Sequence, residues 1–313
     1  MIGSTPLVKI NYMFNSRPNS IYAKLEYYNL TGSIKDRMAR HIIEEAKKSH
    51  ELKPYQPIVE ATSGNTGIAL SAIGSYYNHP VHIFMPDWVS KERKQLMQMY
   101  GANIHLVSRE DGGFKKAIEL ADKLAEEIDG YRPNQFTSHK NIEAHYLTTG
   151  KEIINSIKNI GGFVSGIGTG GTIMGVGSRL KESDPTIKIY VLEPDTLPII
   201  SKGIDKGAHK IEGIGDDFIP DIVDVNMLDE IILINDNDAI NMARIISNKF
   251  GIGVGISSGA NLLAAIIAKE NNERNIVTVF PDDNKKYLST DLVKPIDHNP
   301  DFISNQIELI DYN

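Results

Sequence analysis

From residue 35 onward, short runs rich in β-branched residues alternate with longer segments whose apolar positions recur every three or four residues. That alternation predicts parallel strands covered on both faces by helices, an α/β fold. Met38, Ile42, Ile43 and Ala46 share one side of the first helix, and Glu44, Glu45, Lys47 and Lys48 face away. Residues 57–61 read as a buried strand, followed by a polar loop and a helix from Ile68 to about Tyr77. A strand at 81–85 closes at Pro86, and Ser90 is placed to cap a helix carrying Leu96, Met97 and Met99. A third strand at 103–107 leads through Asp111-Gly112-Gly113 to a helix with Phe114, Ala117, Ile118, Ala121, Leu124 and Ile128 on one side.

The pattern breaks at residues 129–140, the expected crossing between two lobes. Beyond it come a helix over about 141–158, a strand at 162–165, a glycine loop at 166–171 and a helix to about Glu182. A strand over 187–193 ends at Pro194, and the aperiodic stretch 195–230 reads as a long excursion over the site. Asp236 opens a helix to about Phe250. A short strand reaching Ile256, a helix over 258–269 and a last strand at 275–280 complete the pattern. The tail from about Val293 has little periodicity and is expected to drape over the surface.

Composition narrows the classes. The 313 residues suffice for one large domain or two lobes sharing a cleft, and 41% apolar content is that of an ordinary globular protein. A net charge of -7 with no dense Lys/Arg run argues against nucleic acid as a partner. No cysteine is present, so disulfides, zinc–thiolate sites and thiol catalysis are excluded. The nine histidines show no ligand spacing, so no metal site is expected. Neither a signal peptide nor an apolar run long enough for a bilayer is evident, and the expectation is a soluble, cytoplasmic protein away from membranes.

Chemistry concentrates in four stretches. In Asn29-Leu30-Thr31-Gly32-Ser33-Ile34-Lys35-Asp36-Arg37, a small-residue loop delivers Lys35 to the first turn of a helix, where a positive charge is disfavoured. Held in an apolar site, such a lysine becomes a usable amine, suited to carrying a cofactor aldehyde as a Schiff base. Gly166-Ile167-Gly168-Thr169-Gly170-Gly171-Thr172 lies between strand and helix, with Glu193 22 positions after Gly171, the layout of a dinucleotide fingerprint. It is equally a monophosphate cradle, with Thr169 and Thr172 adding hydroxyl donors to the glycine N–H groups. Gly255-Ile256-Ser257-Ser258-Gly259 matches a nucleophile elbow, and Asp282 and His298 follow in hydrolase order. Only one strand remains after it, however, and a serine there equally suits a heteroaromatic ring nitrogen or a helix cap. Thr62-Ser63-Gly64-Asn65-Thr66-Gly67 offers hydroxyls, an amide and free N–H groups at a helix start, a receptor for a carboxylate or an ordinary capped turn.

Together, and in this order, these stretches resemble the cysteine synthase (O-acetylserine sulfhydrylase) and cystathionine β-synthase family of pyridoxal-phosphate enzymes. The likeness begins at Gly3-Ser4-Thr5-Pro6-Leu7-Val8 and includes Glu212-Gly213-Ile214-Gly215 and Pro281-Asp282 with Tyr287-Leu288-Ser289-Thr290. It implies the fold-type II, tryptophan synthase β-like architecture, with pyridoxal 5'-phosphate between two α/β lobes. The catalytic unit would span 1–292, the smaller lobe being about 31–140 and the larger about 141–292 plus the N-terminal segment.

The resemblance further implies that Lys35 forms the internal aldimine and that Asn65 contacts the ring hydroxyl. Gly168, Thr169, Gly170 and Thr172 would hold the phosphate, Ser257 would face the pyridine nitrogen, and Thr62, Ser63, Thr66 and Gln135 would receive the substrate carboxylate. The reaction it implies is β-replacement through an aminoacrylate, with O-acetylserine and sulfide giving cysteine. Cystathionine formation from homocysteine and a serine or threonine dehydratase share the early chemistry. An NAD-dependent dehydrogenase and a serine hydrolase are the readings from other classes. Ala144-His145-Tyr146 and Gly215-Asp216-Asp217-Phe218 lean toward the cystathionine synthases, and the acidic pair is placed to meet an ammonium group or to end a solvated loop. A homodimer is expected, and serine acetyltransferase is the protein partner the family raises.

Overall fold

A computed structural model describes residues 1–295 and 299–313; the expected His298 lies outside them. The chain begins with β1 (Leu7–Phe14) and β2 (Arg17–Leu25), then α1 (Lys35–Lys48), β3 (Ile58–Ala61) and α2 (Asn65–Tyr76). Next come β4 (Val81–Pro86), α3 (Lys91–Met99), β5 (Asn103–Val107), α4 (Gly113–Glu127), α5 (His139–His145) and α6 (Lys151–Ser156). The remainder is β6 (Ile160–Gly166), α7 (Gly171–Ser183), β7 (Lys188–Pro194), α8 (Ile199–Lys202) and β8 (Glu230–Ile234), followed by α9 (Asp236–Phe250), α10 (Ile256–Glu270), β9 (Asn275–Phe280) and β10 (Ile307–Tyr312).

Strands β3, β4 and β5 pair in parallel as a small sheet. Their apolar side chains pack on α1, α2 and α3 on one face and on α4 on the other. The large sheet runs β10-β1-β2-β9-β6-β7-β8, parallel from β2 to β8, with α9 and α10 on one face and α7 on the other. Burial on both faces is why the central strands read as continuous apolar runs. Helix α1 joins the two halves: Ala39, Ile43 and Ala46 belong to the small-sheet core, whereas Met38 and Ile42 meet Ala144 of α5.

Four strands lay outside the sequence expectation. Strands β1 and β2 form an antiparallel hairpin turning through Asn15 and Ser16, both in the left-handed region at φ 50° and 59°. That is the backbone of a tight two-residue hairpin turn, here built without the glycine that usually signals it. Strand β8 closes the excursion, and β10 corrects the reading of a draped tail: it pairs antiparallel with β1 at the sheet edge and buries Ile307 and Leu309 in the core. Local details also differ. The Ser90 hydroxyl donates to the Lys286 carbonyl at 2.8 Å instead of capping α3. The helix expected over 141–158 is interrupted by a π turn at 146–150. The short strand before Ile256 is a single bridge, Val254 to Asp283, so α10 starts early enough to hold Ser257 in its first turn.

A buried ionic cluster anchors the start of α1. Arg37 donates to both oxygens of Glu26 at 2.6 and 2.8 Å and to both oxygens of Glu152 at 2.7 and 2.8 Å. Lys24 reaches Glu152 at 2.7 Å. Burial alone would raise the Glu152 carboxyl, but Arg37 and Lys24 hold it down at about 2.

Leu309, 2% exposed, supplies the test of β10. Leu309→Ala is expected to lower the unfolding free energy by about 2–4 kcal/mol in urea denaturation. A tail lying on the surface would give a change below about 0.5 kcal/mol.

Candidate active site

The N-termini of α1, α2, α7 and α10 open onto one cavity of about 640 Å³ between the two sheets, and their first-turn residues Lys35, Asn65, Thr172 and Ser257 line it. Backbone N–H groups left free at these helix starts make the cavity receptive to anions without a neighbouring cation.

Lys35 is the first residue of α1, and its place is set by main-chain bonds to the large sheet. Ser33 and Asp282 form an antiparallel bridge, and the Ile34 N–H donates to the Pro281 carbonyl at 2.8 Å. Burial pushes the Lys35 amine below its ordinary value, with Asp216 and Asp282 opposing the shift. Desolvation is therefore the leading cause, where the sequence pointed to the helix terminus.

The glycine loop between β6 and α7 has its tightest turn at Gly170, at φ 88°. At Gly168 an added Cβ would lie 2.4 Å from the Gly213 carbonyl oxygen, so the second glycine is required by close packing against the 212–217 loop. Thr172 Oγ1 lies 3.3 Å from His145 Nε2, and His145 Nδ1 lies 2.9 Å from Thr149 Oγ1. Burial pushes His145 well below the ordinary histidine value, helped by Arg37 and Lys35, so the ring is neutral. It reaches Thr172 because Gly175 lets α5 and α7 touch: a Cβ there would lie 2.3 Å from the Ile142 carbonyl oxygen.

In the 62–67 loop, the Gly64 N–H donates to Thr62 Oγ1 at 3.1 Å, and the Thr66 hydroxyl donates to Gln135 Oε1 at 2.6 Å. The Gln135 amide donates to the Ala61 carbonyl at 2.8 Å. Asn141 ties this group to the glycine loop, its amide donating to the Gln135 carbonyl at 3.0 Å and to Thr169 Oγ1 at 2.9 Å. Asn65 donates to Asp282 Oδ2 at 2.7 Å, as does the Tyr287 hydroxyl at 2.7 Å. Among the described residues, Asn65 Oδ1 is buried without a partner.

Every residue to which the family resemblance gives a role at the site lines this cavity: Lys35, Thr62, Ser63, Asn65, Thr66, Gln135, Gly168, Thr169, Gly170, Thr172 and Ser257. The dinucleotide decoy fails on geometry, and the acid of the hydrolase decoy is committed elsewhere. Glu193, the ribose ligand of a dinucleotide site, spends its carboxylate on the Ile200 and Ser201 N–H groups at 2.6 and 3.0 Å. Asp282, the acid of a hydrolase triad, is engaged by Asn65 and Tyr287 and by no histidine among the described residues. Sequence reasoning missed Asn141, His145 and His209. It placed Asp216 either to meet an ammonium group or at the end of a solvated loop; Asp216 lines the cavity, and burial pushes its carboxyl up to about 6 against the influence of His209 and Lys35. Among the described residues, no group of three or more His, Asp or Glu is placed to hold a metal, and no helix is long and apolar enough to cross a membrane.

The donor set fits a pyridoxal phosphate: an amine of lowered basicity, an anion cradle at a helix start, and a polar wall with an unpartnered buried amide oxygen. The comparisons with known proteins agree. Residues 1–282 match the model of the pyridoxal-phosphate dependent enzymes. The chain is 41% identical over 296 residues to the cysteine synthase of Staphylococcus aureus, covering 93% of this chain and 95% of that protein. A hydrogen sulfide-producing enzyme from Fusobacterium nucleatum superposes with a TM-score of 0.96 at 49% identity, covering 99% of this chain and 95% of that one. That enzyme is also solved as an aspartate-to-asparagine mutant with an alpha-aminoacrylate intermediate. The cysteine synthase of Entamoeba histolytica gives a TM-score of 0.88 at 38% identity, over 97% and 93% of the two chains. With an α/β fold of two sheets, a lysine at their junction and a family match over most of its length, this chain belongs to the pyridoxal-phosphate-dependent enzymes.

Proposed function

We propose that the chain catalyses β-replacement on an activated serine, taking O-acetylserine and sulfide to cysteine and acetate. The observation that carries this reading is the Lys35 amine, its basicity lowered by burial, facing a cavity with an anion cradle on one side and the 62–66 loop on the other. The pyridoxal group, when bound, supplies an aldehyde carbon for an amine and a ring that accepts the electron pair left at the substrate's α-carbon.

In this reading Lys35 would hold the cofactor through its amine. Gly168, Thr169, Gly170 and Thr172 would bind its phosphate with the help of the α7 N-terminus, Asn65 would serve the ring hydroxyl, and Ser257 the ring nitrogen. A serine there leaves that nitrogen unprotonated, which favours prompt loss of the leaving group. Thr62, Ser63, Thr66 and Gln135 hold the α-carboxylate. The Lys35 amine takes the α-proton, and acetate departs from the β-carbon with the C–O bonding pair. The sulfur of hydrogen sulfide then bonds the β-carbon, its S–H proton passing to the Asp216 carboxylate and on to solvent, while the Lys35 ammonium returns a proton to the α-carbon. The smaller lobe, about residues 31–140, closes over the site and keeps water out. A second reading, release of sulfide from cysteine, is favoured by Asp216 itself, whose acid form protonates a departing thiolate.

Three outcomes test the proposal. The purified protein shows a visible absorption band that Lys35→Ala abolishes, that O-acetylserine shifts and that sulfide restores with release of cysteine. A colourless protein, or one whose band ignores O-acetylserine, overturns it. Thr66→Ala keeps the band but raises the O-acetylserine concentration for half the spectral change by ~10-fold or more, as expected for a lost hydrogen bond to a charged group. Loss of the band in that variant contradicts the carboxylate role. In the wild type the sulfide step slows as pH falls through about 6, where Asp216 takes up a proton. The ratio of wild-type to Asp216→Asn rates removes sulfide's own ionisation, and a ratio independent of pH contradicts the role of Asp216.

A further inference from the structure

The turn that presents Asp216 is held from two sides. Gly215, in the left-handed region at φ 72°, donates its N–H to the Ile167 carbonyl at 2.9 Å, which ties it to the glycine loop. Its carbonyl lies 2.7 Å from His209 Nε2, so that nitrogen carries a proton and donates it. A Cβ at Gly215 would lie 2.9 Å from the same Nε2, so the imidazole packs directly against the turn. His209 is itself anchored through the next residue, whose N–H donates to Asp236 Oδ2 at 2.7 Å. Two polar atoms in this region remain without partners among the described residues, His209 Nδ1 and Asp236 Oδ1, both buried. The imidazole thus holds the turn through one nitrogen and keeps the other unpartnered among the described residues.

We infer that His209 is the positioning residue for Asp216: its Nε2–H fixes the Gly215 carbonyl so that the carboxyl faces Lys35, and the imidazole favours the carboxylate form. This rests on the role given to Asp216 above. The groups facing that carboxyl are Lys35 from α1, His209 from the excursion and Asp217 from its own loop, with Lys115 of α4 held 3.1 Å from Asp217. Lys35 and His209 favour the Asp216 carboxylate and Asp217 opposes it, so His209 is the favourable partner of the set that lies outside the chemistry. The arrangement suits a nucleophile that arrives protonated, such as hydrogen sulfide or a thiol.

The test uses the full-length holoenzyme and two substitutions. His209→Gln keeps an N–H donor for the Gly215 carbonyl but cannot carry charge; His209→Leu removes both. Infrared difference spectra of wild type minus Asp216→Asn, without substrate, give the titration midpoint of the Asp216 carboxyl, and the same subtraction is made in the His209→Gln background. That midpoint is expected to move upward by roughly half a unit or more in His209→Gln, and the pH limb of the sulfide step to move with it. Above that limb His209→Gln reacts within about 3-fold of wild type, whereas His209→Leu slows the sulfide step by ~10-fold or more and leaves the O-acetylserine step unchanged. An unmoved midpoint in His209→Gln, or an unslowed sulfide step in His209→Leu, overturns the inference; should His209→Leu fail to fold, the midpoint in His209→Gln decides alone. Because the infrared midpoint needs no turnover, it still decides the matter if O-acetylserine proves not to be the substrate.

Discussion

The structure depends on a main-chain contact between its two halves. The bridge from Ser33 to Asp282 and the 2.8 Å bond from the Ile34 N–H to the Pro281 carbonyl fix the start of α1 against the end of β9. Two residues further on, Arg37 is clamped by Glu26 and Glu152, so the helix can neither slide nor rotate without breaking buried ion pairs. Between these fastenings sits Lys35. Its lowered basicity follows from where it is held: burial, more than any charge nearby, disfavours the ammonium form.

Around that point the polar groups are linked. Asn141 connects Gln135, the partner of Thr66, to the glycine loop, and neutral His145 connects Thr149 to Thr172. The cavity thereby offers donors to a phosphate and a carboxylate with positions set in advance, the condition under which hydrogen bonds count most in binding and catalysis. The 212–218 loop closes the opposite side. It reaches the small-sheet half through the Arg93–Glu212 pair, the Lys115–Asp217 pair and the edge-on contact of Phe136 with Phe218. The loop that carries Asp216 is thereby fastened to both halves.

Much of this was legible because periodicity and loop chemistry agreed. The β3–α2 and β6–α7 units announce themselves as buried runs followed by small polar loops, and each delivered its loop to the cavity. The hairpin was missed because Asn15-Ser16 lacks a glycine. Strand β10 was missed because Ile307 and Leu309 are its only fully buried side chains, too few to stand out beside an acidic, polar tail. Asn141 and His145 act through partners distant in the chain and His209 through a backbone carbonyl, and no local pattern distinguishes them from surface residues. The two decoy motifs show the converse. Gly168 to Gly171 and Ser257 match several functions by spacing alone, and only the engagement of Glu193 and Asp282 elsewhere separates them.

The central claim is that one lysine, set at the junction of the two sheets, holds the cofactor. Borohydride reduction of the holoenzyme followed by peptide mass mapping tests it most directly. The structure predicts a single reduced pyridoxyl adduct on the peptide containing Lys35. An adduct on another lysine, or none in a protein that retains its cofactor, would contradict it.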